Sequence, residues 1–223
     1  MVRATFPRVK ICCIANVEEA RLAIQYGASA VGLVSSMPSG PGVIDEGLIA
    51  EIAAAVPPPI ATFLLTSTQD AESIIAQQRR CRTNTIQLCD SLIHGSYGDL
   101  RAALPGIALV QVIHITGEAS IAEALQVAPQ VDALLLDSGN PAMAVKQLGG
   151  TGRTHDWRLS REIRERSHVP IFLAGGLTPH NVQEAIEQVG PFGVDLCNGV
   201  RTDGKLDVRK LARFFDAVHR QNA

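Results

Sequence analysis

The sequence predicts an α/β fold: a single closed (β/α)8, or TIM, barrel formed as one domain over residues 1–223. Three observations lead there. Short runs rich in β-branched and other apolar residues alternate with helical patterns eight times along the chain. A length of 223 residues with 46% hydrophobic content suits one domain with a large core. No G-x-G-x-x-G follows the first strand-like run, which counts against the competing architecture, an open doubly wound sheet.

The first run, Val9 to Ile14, leads into a helical stretch from Glu18 to Tyr26 with Asn16 as its cap. Ala30 to Val34 is the second strand, and Glu46 to Ala55 the second helix, capped by Asp45. Pro57-Pro58-Pro59 then makes a stiff connector, not a domain boundary, before Ile60 to Leu65. A helix from Asp70 to Arg80 follows, with Thr68 as the expected cap. Thr85 to Leu88 and Asp99 to Leu104 form the fourth unit, Ala108 to Ile113 and Ser120 to Val127 the fifth. The sixth strand, Ala133 to Leu136, is separated from its helix, Arg158 to Arg166, by a long glycine-containing connection that is expected to close over a ligand. Ile171 to Ala174 with His180 to Val189, then Gly193 to Leu196 with Val208 to His219 behind an Asp207 cap, complete the eight. No repeat or low-complexity segment divides the chain.

Composition narrows the function classes. The formal charge is −2 and aromatics are 4%, so neither a basic stripe nor a stacking platform for nucleic acid is visible. No apolar run reaches spanning length and no signal peptide opens the chain, so a cytoplasmic protein without a membrane partner is expected, as a monomer or homodimer. The five cysteines are odd in number and lack C-x-x-C spacing, which fits reduced thiols and not a disulfide framework. No His/Cys/Asp cluster has ligand spacing, and neither a metal nor another cofactor is expected.

Strand parity turns this barrel into a site. If Lys10 and Cys12 point inward, then Val9, Ile11 and Cys13 face the helices, and Cys12 ends the first strand. The same alternation puts Ala133, Leu135 and Asp137 on one face of the sixth strand, with Asp137 last. Active sites of such barrels lie at that end, so a thiol and a carboxylate share the mouth. From the residues alone, Cys12 also fits a small buried hydrophobe and Asp137 a turn former. Cys13 and Cys81 read as packing or surface residues. Three glycine-bearing segments follow: Gly149-Gly150-Thr151-Gly152 after strand six, Gly175-Gly176 after strand seven, and Asn198-Gly199 after strand eight. Bare glycine backbone lets N–H groups converge on an anion, and the loops after strands seven and eight are where these barrels hold phosphate. The residues therefore point to acid/base chemistry on a phosphorylated small molecule.

These motifs resemble the phosphoribosylanthranilate isomerase family of tryptophan biosynthesis. Lys10-Ile11-Cys12 is similar to its K-I-C-G-I-T, and Leu135-Leu136-Asp137-Ser138 to its L-L-D-S. Gly149 to Gly152 with Asp156-Trp157 resembles G-G-T-G-x-x-F-D-W, and Leu173 to Leu177 with Pro179 and Asn181-Val182 resembles L-A-G-G-L-x-P-x-N-V. Gly193-Val194-Asp195 with Asn198-Gly199-Val200 resembles G-V-D-x-S-S-G-V-E. The resemblance implies an aldose–ketose (Amadori) rearrangement, with Cys12 as general base and Asp137 as general acid. It implies that Gly150, Thr151, Gly152, Gly175, Gly176, Cys197, Asn198 and Gly199 hold the phosphate and that Asp195 lies near the substrate amine. The chain departs from the pattern at the mouth. Ser39-Gly40-Pro41-Gly42 lacks the arginine of S-P-R, Cys89-Asp90 replaces H-G, Gln111 stands for a basic residue, Cys13 for glycine, and Arg201 for glutamate. A carboxylate on the aglycone would then need another cation, Arg153 or Arg201. A paralogous isomerase on another aminosugar phosphate, and a non-catalytic sugar-phosphate binder, are the alternatives.

Overall fold

A computed structural model describes residues 7–220. Eight parallel strands close on themselves in chain order: β1 (Arg8–Ile11), β2 (Ala30–Val34), β3 (Ala61–Thr66), β4 (Thr85–Leu88), β5 (Ala108–His114), β6 (Ala133–Asp137), β7 (Ile171–Leu173) and β8 (Gly193–Leu196). The helices between them are α1 (Val17–Gln25), α2 (Glu46–Ala55), α3 (Ala71–Cys81), α4 (Tyr97–Ala103), α5 (Ala119–Val127), α6 (Trp157–Arg166), α7 (Val182–Val189) and α8 (Val208–His219). The expected (β/α)8 barrel is the fold. None of these helices is long and apolar enough to cross a membrane.

Two apolar layers hold the barrel. The outer one packs odd-numbered β1 residues such as Val9 and Ile11, with Leu134, Leu136 and Val194, against the helices through residues such as Ile49, Ile74, Ile163 and Phe214. The inner one fills the barrel with Phe63, Val110, Val112, Leu135, Phe172 and their neighbours. Phe63 and Phe172 meet edge to face, ring centres 5.9 Å apart, an arrangement that adds about 0.5–1.5 kcal/mol beyond area burial. Inward alternation on β1 and β6 is as parity demands, with Lys10 and Cys12, and Leu135 and Asp137, on the inner side.

Four local expectations need correction. β1 stops at Ile11, because Cys13 has φ of 61° and leaves the extended region; the side chain that strict alternation aims at the helices instead joins the inner layer. Asp70, not Thr68, caps α3: its carboxylate accepts the Ser73 N–H at 2.8 Å. Gln111 faces outward, accepting a hydrogen bond from the Tyr97 hydroxyl at 2.9 Å, so it does not stand at the mouth. Arg201 opens a small antiparallel ribbon, β9 (Arg201–Thr202) with β10 (Lys205–Leu206), between β8 and α8.

Candidate active site

A cavity of about 250 Å³ opens at the C-terminal end of the strands. Cys12, Asp137 and Asp195 reach it from β1, β6 and β8, and the three glycine segments that follow β6, β7 and β8 form part of its wall. Parity and barrel closure thus bring together residues separated by most of the chain. Of the residues singled out in the sequence, Cys12, Asp137, Gly150, Thr151, Gly152, Gly175, Gly176, Asp195, Cys197, Asn198 and Gly199 all line this cavity.

Cys12 has a cation beneath it that the sequence reading left without a role. Lys10 is fully buried inside the barrel and its Nζ lies 2.9 Å from Asp195 Oδ1. It also stands 5.0 Å over the Phe63 ring. Burial pulls an ammonium down, but the carboxylate of Asp195 and the sulfur of Cys12 outweigh it and hold Lys10 well above the usual lysine range. Gly32 makes room for this pair: a Cβ there would sit 2.9 Å from Cys12 Sγ and 3.1 Å from Lys10 Nζ. The signal available in the sequence was the i, i+2 spacing of Lys10 and Cys12, which puts both on one face of β1.

Asp137 is 8% exposed. Burial pushes its carboxyl up and the Asp195 charge adds to this, while the Ser138 N–H, His114 and Lys10 pull the other way; the net shift is upward. The Ser138 N–H donates to Oδ1 at 2.7 Å, and Gly149 passes close over Oδ2. A carboxyl so placed can hold a proton to give.

The glycine wall is tied together by side chains. The Ser138 and Thr151 hydroxyls are 2.7 Å apart, and Asn198 Nδ2 donates to the Gly150 carbonyl at 3.1 Å. Gly176, with φ of 62°, presses on the backbone of Arg153, where a Cβ would come within 2.6 Å of the carbonyl carbon. A Cβ on Gly199 would collide with the Leu177 carbonyl oxygen. Only glycine permits these approaches, and they leave backbone as the surface presented to a ligand.

Arg201 is placed elsewhere. Its guanidinium bonds Glu19 at 2.9 and 3.0 Å and the carbonyls of Cys13 and Gly204 at 2.6 and 2.9 Å. It braces the end of β1 from outside the cavity. Among the described residues, the cavity lining contains no lysine, arginine or histidine. His155 is a packing residue: burial draws it down to about 4, and its Nε2 lies 2.6 Å from the Ser160 hydroxyl. Among the described residues no group of three or more His, Cys, Asp or Glu side chains is placed to hold a metal ion.

A closed (β/α)8 barrel with such a mouth belongs among the barrel isomerases, and comparison with known proteins gives the family. The model of N-(5'-phosphoribosyl)anthranilate isomerase matches residues 9–217, and the chain belongs to that family. It is 36% identical over 215 residues to N-(5'-phosphoribosyl)anthranilate isomerase 2 of Methanosarcina mazei, covering 96% of this chain and 93% of the relative. The crystal structure of phosphoribosyl anthranilate isomerase from Thermotoga maritima superposes with a TM-score of 0.79 at 30% identity, over 95% of this chain and 98% of that one. A phosphoribosyl anthranilate isomerase in complex with reduced 1-(o-carboxyphenylamino)-1-deoxyribulose 5-phosphate gives 0.77 at 28% identity, over 95% and 98% of the two chains.

Proposed function

We propose that this enzyme rearranges N-(5'-phosphoribosyl)anthranilate to the 1-amino-1-deoxyketose, with Cys12 as general base and Asp137 as general acid. The observation that carries the reading is that these two groups and a glycine-backbone wall line one cavity. Phosphate bound against Gly150 to Gly152, Gly175-Gly176 and Asn198-Gly199 would fix the sugar between them. Asp137 gives its proton to the furanose ring oxygen, and the ring opens to the protonated imine. Cys12, as thiolate, takes the proton from sugar C2. The resulting enolamine becomes the ketose when C1 is protonated. Lys10 supplies positive charge below the thiolate, and Asp195 lies where the substrate amine becomes cationic. The five thiols are free, which suits a reducing cytoplasm.

The test follows loss of substrate fluorescence, with phosphoribosylanthranilate generated in situ. Cys12→Ala and Asp137→Asn should each lower kcat by about 10²–10⁴-fold, the range for one acid/base group, with little change in affinity for a phosphosugar. Turnover that survives both changes overturns the assignment. One observation favours a second reading, an aminosugar phosphate with an uncharged aglycone: the wall offers no cation to an anthranilate carboxylate, which forgoes a charge-assisted partner. Folded protein that binds ribose 5-phosphate yet leaves phosphoribosylanthranilate untouched would decide for that reading.

A further inference from the structure

Four thiols line the cavity, Cys89 after β4 and three near the β1–β8 seam, and the acid/base chemistry uses only one. The three at the seam are Cys12, Cys13 and Cys197. β1 and β8 are hydrogen-bonded neighbours in parallel register, Ile11 beside Leu196, and the Cys12 N–H donates to the Leu196 carbonyl at 2.9 Å. The next pair in register is Cys12 with Cys197, at the spacing of adjacent strands, about 4.8 Å, and Cys13 follows one residue on. Cys13 and Cys197 line the same cavity, and Cys197 packs against the inner apolar layer that holds Cys13. Parity points Cys197 inward. Cys13 reaches the same side because its φ of 61° turns it out of the strand. Arg201 holds that turn through the Cys13 carbonyl.

We propose that Cys13 and Cys197 form a reversible disulfide that shuts off the site when a small-molecule disulfide accumulates. The sulfur of Cys197, as thiolate, attacks one sulfur of R–S–S–R and releases RS⁻. Cys13 passes its proton to RS⁻ and attacks the Cys197 sulfur of the mixed disulfide, expelling the second RS⁻, which takes up a proton from solvent. Two protein sulfurs are oxidised and one small disulfide is reduced to two thiols. The local charges support this division of labour. A hydrogen bond from Cys13 and the Arg201 charge draw the Cys197 thiol down against its burial. Cys13 is pushed up, first by its hydrogen bond with Cys12, then by Cys197 and by burial. A lowered thiol is the better attacking group, and a protonated neighbour is the resolving one. The bond would couple the β1 end to the loop that carries Asn198 and Gly199.

The experiment titrates the intact protein with oxidised glutathione and reads the free thiols, mass, turnover and affinity for ribose 5-phosphate. Two of the five thiols should disappear with the loss of two hydrogens, and a peptide pair should join Cys13 to Cys197. Turnover should fall by about a hundredfold, the scale of a displacement near 1 Å at a reacting centre, phosphosugar affinity should fall with it, and dithiothreitol should restore both. Cys13→Gly suits the backbone at that position and should keep its activity under the same oxidant. Five thiols retained, a lasting glutathione adduct without the crosslink, a bond to Cys12 or Cys89, a crosslink that leaves both turnover and affinity unchanged, or equal inactivation of Cys13→Gly would each overturn the proposal. The crosslink is read without substrate, so its failure is distinct from a failure of the isomerase reading.

Discussion

Asp137 works against the stability of the fold that places it. Its carboxyl is held above the usual value because burial disfavours the charged form and Asp195 stands nearby. Between the unfolded and folded values the native state binds more protons than the unfolded chain, so the contribution of Asp137 to stability falls as pH rises through that window. Asp137→Asn keeps the shape and removes the charge. It should lower kcat by about 10²–10⁴-fold and raise Tm at pH 7.5 by a few degrees, equivalent to about 0.5–2 kcal/mol, as expected when a functional site is relieved. At acidic pH, where Asp137 is protonated in both states, the gain should vanish. Thermal melts of the two proteins across pH check this; an unchanged or lower Tm at pH 7.5 would show that the charge is better accommodated than its burial implies.

At the scale of elements, the phosphate wall rests on backbone meeting backbone. Gly199→Ala drives a Cβ into the Leu177 carbonyl, and relief requires the loops after β7 and β8 to separate. Overpacking of this kind costs about 1–3 kcal/mol. KM should rise about tenfold for every 1.4 kcal/mol by which phosphate binding weakens, with kcat less affected. Cap substitutions probe the helices in the same way. Asp70→Ala should lower Tm by a few degrees, whereas Thr68→Ala should leave it unchanged, because only Asp70 accepts the α3 N–H. The Thr68 expectation shows where sequence reading ran out. Two cap-type residues stand two apart, and the choice depends on where the chain turns, which the pairing of Asp70 with His94 sets from outside the helix. Strands and helices themselves were legible because period-2 and period-3.6 patterns are local. Cys12 and Asp137 were legible as strand-end residues. The role of Lys10 was not, since its partner Asp195 lies across the closure of the barrel. Nor was the inward turn of Cys13, which needs a positive φ that a cysteine does not advertise.

For the whole molecule, the decisive join is between the first strand and the last. β1 and β8 are far apart in sequence, and closing them has a large loop entropy to overcome. Two buried ion pairs sit on this seam: Lys10 with Asp195 inside, and Glu19 with Arg201 outside, their side chains 12% and 6% exposed. Burial pushes the Glu19 carboxyl up, but Arg201 and the N–H groups of Leu206 and Ala15 outweigh it, and it lies below the ordinary value near 4.5. A carboxylate depressed in this way stabilises the fold fully above its unfolded pKa, and that contribution is lost as pH falls through the folded value. Arg201→Met strands Glu19 as a buried charge and should cost about 3–5 kcal/mol at pH 7, or about 2–4 °C in Tm per kcal/mol for a chain of this size. As pH falls through the depressed Glu19 pKa and the carboxylate takes up a proton, the variant and the parent should converge. Adding Glu19→Gln to Arg201→Met should recover part of the loss at pH 7, because no orphan charge then remains. Hydrogen exchange should rise at the paired residues of β1 and β8 before it rises in β3 to β6. A variant as stable as the parent at pH 7, or one that loosens the opposite side of the barrel first, would show that apolar packing alone closes the seam.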